Sequence, residues 1–137
     1  MASILRVNTL TDASSNNSTA MSTINQGTAK NWALIRVSSG TPSNSDSFNT
    51  ASLTDDSTGN VFVNLTNAMS SVNYSNLVGR QVVSQAGTGS NFVQSVTTNN
   101  RSTSLYRINN FENGSDTDPH HYDSQVNGDL AWVKQQN

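Results

Sequence analysis

Cysteine is absent from this chain, proline occurs twice, and Lys, Arg, Asp and Glu together make up 12% of it. Without cysteine there are no disulfides and no thiolate metal ligands, and the redox compartment is left open. The scarcity of charge says more, because about a quarter of an average soluble protein is charged; here solubility must come from neutral groups. Seven cations, spread over Arg6, Lys30, Arg36, Arg80, Arg101, Arg107 and Lys134 in a chain of net charge −2, speak against nucleic acid as a partner. Long apolar runs are missing too. None approaches the roughly 20 residues of a membrane-spanning helix. The apolar stretch after Met1 ends at Val7 and is broken by Arg6, so neither membrane insertion nor a secretory signal is expected.

What fills the space is Asn, Ser and Thr, which supply 57 of the 137 residues (20 Asn, 22 Ser and 15 Thr). Their short side chains bond to nearby backbone, which opposes helix interiors and favours turns, loops and strand ends. Disorder would require few aromatics and high net charge; this chain has two Trp, three Tyr and four Phe set within apolar runs. A folded chain with little helix is expected. At 33% hydrophobic residues its core should be thin, which makes burial against a partner chain part of the expectation.

Residues 1–26 read differently from residues 27–137, as an extended N-terminal attachment arm preceding a single domain. Residues 12 to 19 contain one apolar residue, Ala13, and cannot cover a core of their own. The few apolar side chains of the arm, Ile4, Leu5, Val7, Leu10, Met21 and Ile24, are the candidates for burial in another subunit. From Lys30 onward, β-like runs alternate with turn clusters: 32–37, 48–54, 61–66, 74–84, 92–98, 105–111 and 130–133. Val61, Val63 and Leu65 alternate with polar Asn64 and Thr66, the period-two pattern of a half-buried strand. The segment Asp55-Asp-Ser-Thr-Gly-Asn60 suits a hairpin loop, and Ser38-Ser-Gly-Thr-Pro42 marks another turn. The fold class that follows is all-β, an antiparallel β-sandwich of about seven strands. Trp32 and Trp132, each in an apolar run, are expected in its core.

Catalytic signals are weak. Twenty-two serines make any Ser/His/Asp combination uninformative, no Gly-x-Ser-x-Gly occurs, and Glu112 is the sole Glu, so no enzyme activity and no cofactor are expected. The Gly87-Thr-Gly-Ser-Asn91 stretch lacks the lysine of a phosphate loop. Six Asn-x-Ser/Thr sequons match the roughly five that this composition produces by chance, so they do not argue for glycosylation. His120-His121, with Asp116, Asp118 and Asp123 nearby, is the one metal-like cluster, but neighbouring residues of a strand point to opposite faces and the setting reads as a solvated loop. Aromatic side chains on a polar surface can stack on sugar rings; Tyr122 is the expected exposed aromatic. The loops 86–91 and 113–127, with Asn91, His120, His121 and Tyr122, are the expected ligand-facing positions.

Several segments in order resemble tailed-bacteriophage virion proteins, particularly fibre-type proteins of marine phages. They are Ile4-Leu-Arg-Val-Asn-Thr-Leu-Thr-Asp12, Gly27-Thr-Ala-Lys-Asn-Trp32, Asp46-Ser-Phe-Asn49, Ser52-Leu-Thr-Asp55, Thr58-Gly-Asn-Val-Phe-Val-Asn-Leu-Thr66 and Asn73-Tyr74, with weaker similarity at Gly128-Asp-Leu-Ala-Trp132. The resemblance implies a small β-sandwich assembled as a homotrimer on a virion, attached through its N-terminal segment to other virion proteins. A host-surface glycan or protein would be the outside partner. Many such relatives carry additional shaft modules. A single domain fits a short tail fibre or fibre-tip adhesin, with capsid decoration as the alternative. The resemblance supplies no catalytic residues.

Overall fold

The computed structural model describes residues 8–11, 13, 14, 18–81, 91–112 and 114–131. Two antiparallel sheets face each other. The first runs in the order β4 (Thr41–Phe48), β3 (Ala29–Ser38), β11 (His121–Asn127), β7 (Ser75–Gln81). The second runs β5 (Thr50–Ser57), β6 (Asn60–Leu65), β9 (Leu105–Glu112), with β8 (Asn91–Arg101) on the other flank of β9. The short β10 (Ser115–Asp116) pairs with the last residues of β9. The chain is thus an all-β antiparallel sandwich, as its alternating pattern predicts.

Period-two burial builds the core. Ala33, Ile35 and Val37 of β3 and Tyr122 and Val126 of β11 face Val61, Val63 and Leu65 of β6 and Tyr106 and Ile108 of β9. Met69, Tyr74 and Leu130 close the end of the gap near residue 128. Three buried side chains carry polar groups within this apolar layer and satisfy one another: the Tyr106 hydroxyl lies 2.6 Å from Asn31 Oδ1 and 2.8 Å from Ser124 Oγ, tying the two sheets together. Asn31 donates in turn to the Phe48 carbonyl (2.9 Å) and Thr50 Oγ1 (2.8 Å), so each partner of a buried polar group is satisfied.

Four expectations change. The turn at residues 38–42 shrinks to Ser39 and Gly40, both with positive φ (52° and 78°), as a two-residue type I′ hairpin requires. Pro42 lies inside β4, tolerable because β4 is an edge strand and Pro42 has no N–H to offer a further neighbour. The loop at 55–60 shrinks likewise to Thr58-Gly59, and Asp56 becomes a strand residue whose carboxylate meets Arg107 at 2.6 Å. Residues 121–127, expected in a loop, form an interior strand of the first sheet. Trp32, expected in the core, is 38% exposed on the outer face of β3, because Ala33 and Ile35 take the inward positions.

The described part of the arm is folded and not extended. β1 (Thr9–Thr11) pairs with β2 (Ser18–Ala20) as a two-stranded sheet of its own, followed by helix α1 (Met21–Gly27). Asn127 Nδ2 donates to the Gly27 carbonyl at 3.0 Å, so the helix end meets the sandwich at the end occupied by residues 29 and 127.

Candidate functional site

Register fixes which residues share each end and face. His121 pairs with Arg36 and Asn127 with Ala29, so residues 118–121 and the Ser39-Gly40 turn lie at the end of the sandwich remote from helix α1. At this remote end the expected metal cluster comes apart. His120 Nδ1 and His121 Nδ1 are 2.7 Å apart with rings nearly perpendicular, one donating and the other accepting. The carboxylates aim elsewhere. Asp118 Oδ1 accepts the Gly59 N–H at 2.6 Å, and Asp116 accepts from Asn60 (3.0 Å) and Asn109 (2.9 Å). Asp123 stands opposite Leu34 and Gly79 on the outer face of the first sheet. Among the described residues no three His, Asp or Glu side chains converge as a metal set.

Gly59 is the centre of this end. Its N–H donates to Asp118, and its carbonyl accepts from the Asn110 N–H and the Tyr122 hydroxyl, both at 2.8 Å. Asn110 Nδ2 reaches the Thr117 carbonyl (2.6 Å) and Oγ1 (3.0 Å), while its Oδ1 accepts from Arg80 at 2.7 Å. Arg80 is also within 3.4 Å of Glu112. The hydrogen bonds from Asn109 and Asn60 hold the Asp116 carboxyl below its usual range. Burial, reinforced by the nearby Asp118 and Asp116 charges, pushes the Tyr122 hydroxyl well above the ordinary phenol range.

Tyr122 is therefore a correction: the expected exposed aromatic is fully buried, with its hydroxyl committed to Gly59. His120 and His121 are half-buried at the start of β11. Asn91 opens β8 opposite Glu112, and the rest of the 86–91 loop lies outside the described residues. Of the attachment candidates, Leu10 is exposed and Met21 and Ile24 are half-buried, whereas Ile4, Leu5 and Val7 lie outside the described residues, as does Trp132.

Sequence reasoning missed the outer face of the first sheet. Phe48, Trp32, Gln125 and Leu77 stand side by side across β4, β3, β11 and β7, and Leu34, Asp123 and Gly79 form the adjacent row. The available signal was the even-numbered set Trp32 and Leu34, which any sandwich must expose once Ala33 and Ile35 are buried. Comparison with known protein families, with curated proteins and with solved structures returned no match.

Proposed function

We propose that this protein is a non-enzymatic bacteriophage virion structural protein of the tail-fibre or adhesin type, anchored to the particle by residues 1–26 and assembled as a homotrimer. The observation that carries the reading is the separation of the N-terminal segment from the sandwich. β1 and β2 form a sheet of their own, and Leu10 within it is 49% exposed. Covering that side chain with another chain would remove apolar surface from water and so favour association. The C-terminal end of helix α1 meets the sandwich at the end occupied by residues 29 and 127, opposite the end that carries the Ser39-Gly40 turn and residues 118–121. The neutral surface suits display in many copies, since like charges would repel between neighbouring subunits.

The test is a truncation lacking residues 1–26. The expected result is a folded sandwich, with the circular dichroism and cooperative melting of the parent, that no longer joins particles. If the truncated protein still incorporates, the anchoring reading is lost. Labelling the protein in intact particles then separates tail fibre from capsid decoration by position.

A further inference from the structure

The outer face of the first sheet carries two features that attachment does not use. The first is its exposed apolar patch: Trp32 (38%), Leu34 (38%), Phe48 (51%) and Leu77 (62%) are four of the six large hydrophobic side chains exposed among the described residues. The second is Gly79. It sits in the interior of β7 without a left-handed backbone, and a Cβ there would meet nothing closer than the Asp123 Cβ at 3.8 Å. Neither turn geometry nor internal packing requires glycine at this position, and glycine weakens a strand interior. Over this position lies a shallow, open groove of about 370 Å³ lined by Leu77, Val78, Gly79, Asp123, Ser124 and Gln125.

We infer that this groove, with the Trp32–Phe48 platform in the same sheet face, binds a neutral carbohydrate. The inference rests on the reading of the protein as a surface-binding module and names its ligand and site. A sugar ring presents an apolar C–H face and a rim of hydroxyls. Indole and phenyl rings receive the first. The Asp123 carboxylate accepts from hydroxyls, and Gln125, whose Nε2 is oriented by a 3.0 Å bond to Asn127 Oδ1, keeps its amide oxygen as an acceptor. The charges on the face, Asp46 and Asp123 against Arg36, nearly cancel, so nothing there favours a polyanion or a polycation.

A second copy of the chain fits less well. The apolar side chains occupy only two rows across the four strands, roughly 19 Å by 14 Å, which is small for the core of a standard interface. Such an interface would also cover Asp123, whose cross-strand neighbours Leu34 and Gly79 offer it no cation. Sugar hydroxyls satisfy that carboxylate.

The test uses the purified full chain in native affinity gels containing laminarin, galactomannan or dextran, with light scattering to follow its mass. At least one polysaccharide should retard the protein. Trp32→Ala and Gly79→Val should each weaken retardation by about tenfold or more, with melting temperatures near that of the parent; valine suits a strand, and its Cβ has room. No retardation by any of the three polysaccharides overturns the inference, as does retardation that both variants leave intact. A drop in mass on Trp32→Ala overturns it in favour of a contact between copies. The assay needs no particle, so its failure is distinguishable from failure of the anchoring reading.

Discussion

At the end of the sandwich nearest helix α1, Met69, Tyr74 and Leu130 fill the gap between the sheets, whereas at the remote end Gly59, Asn60, Asn109, Asn110, Asp116 and Asp118 close it with hydrogen bonds. The near end does contain polar contacts. The Tyr74 hydroxyl is shared between the Ser102 and Leu105 carbonyls (2.9 and 3.0 Å), and the Arg101 guanidinium lies 3.8 Å over the Tyr74 ring while donating to the Tyr74 carbonyl. Its closure is nevertheless mainly a matter of volume, which tolerates any apolar group of about the right size. The remote end is directional, and removing a buried member of such a network leaves its partners unpaired. The functional lesson is that the carboxylates and amides that looked most available for chemistry in the sequence are already committed to holding the fold. Unused binding capacity lies on the sheet face.

The sharpest way to break the contrast is Gly59→Ala. The φ of +75° is left-handed, and the new Cβ would lie 2.7 Å from both the Asn110 and Thr117 carbonyl oxygens and 2.8 Å from the Thr117 nitrogen. These are backbone atoms and cannot swing aside. Strain and overpacking together should cost roughly 3–5 kcal/mol, measured by urea denaturation. A loss below about 1 kcal/mol would show that the remote end yields as readily as the near one.

Next in size is Met69→Ala at the near end, where the side chain is 1% exposed. Removing it should cost about 2–4 kcal/mol, while Met69→Leu should stay within about 1.5 kcal/mol. The pair tests the claim that volume governs here. If leucine were as damaging as alanine, the near end too would depend on specific geometry.

The legible part of the fold was the part where apolar residues alternate. Val61, Val63 and Leu65 identified β6 and its inward face directly. The strand at 121–127 was missed because its inward set is Tyr122, Ser124 and Val126, and Ser124 reads as surface until its hydroxyl is known to meet that of Tyr106. β4 was missed because Thr-Pro-Ser-Asn-Ser-Asp-Ser-Phe shows no alternation; an edge strand exposed along most of its length needs none. The candidate site was illegible for a related reason. Phe48, Trp32, Gln125 and Leu77 come from four strands, and only the register brings them into one row. Composition added to the difficulty, since an Asn that staples a corner looks like any other. Asn49 does so, bonding the Lys30 and Asn67 carbonyls (2.8 and 3.1 Å) and accepting the Asn67 N–H (2.7 Å).

The smallest expected effect concerns pH and isolates one acid of the remote end. Asp116 takes hydrogen bonds from Asn109 and Asn60 that favour its charged form and hold its folded pKa below the unfolded value. A group with a depressed folded pKa contributes stability above its unfolded pKa, about 3.9 for Asp, and that contribution fades as pH falls through the folded value. Asp116 is exposed, so solvent screens the interaction and the effect is modest. Melting temperatures recorded from about pH 6 down to about pH 3 should fall for the parent protein, and the fall below about pH 4 should be shallower for Asp116→Asn. The acid-independent near end predicts that Met69→Leu leaves the slope unchanged. Equal slopes for the parent and Asp116→Asn would mean that the asparagine clamp on this carboxylate does not distinguish its two protonation states, and that the remote end is held by the Gly59 and Asn110 hydrogen bonds without a contribution from the Asp116 charge.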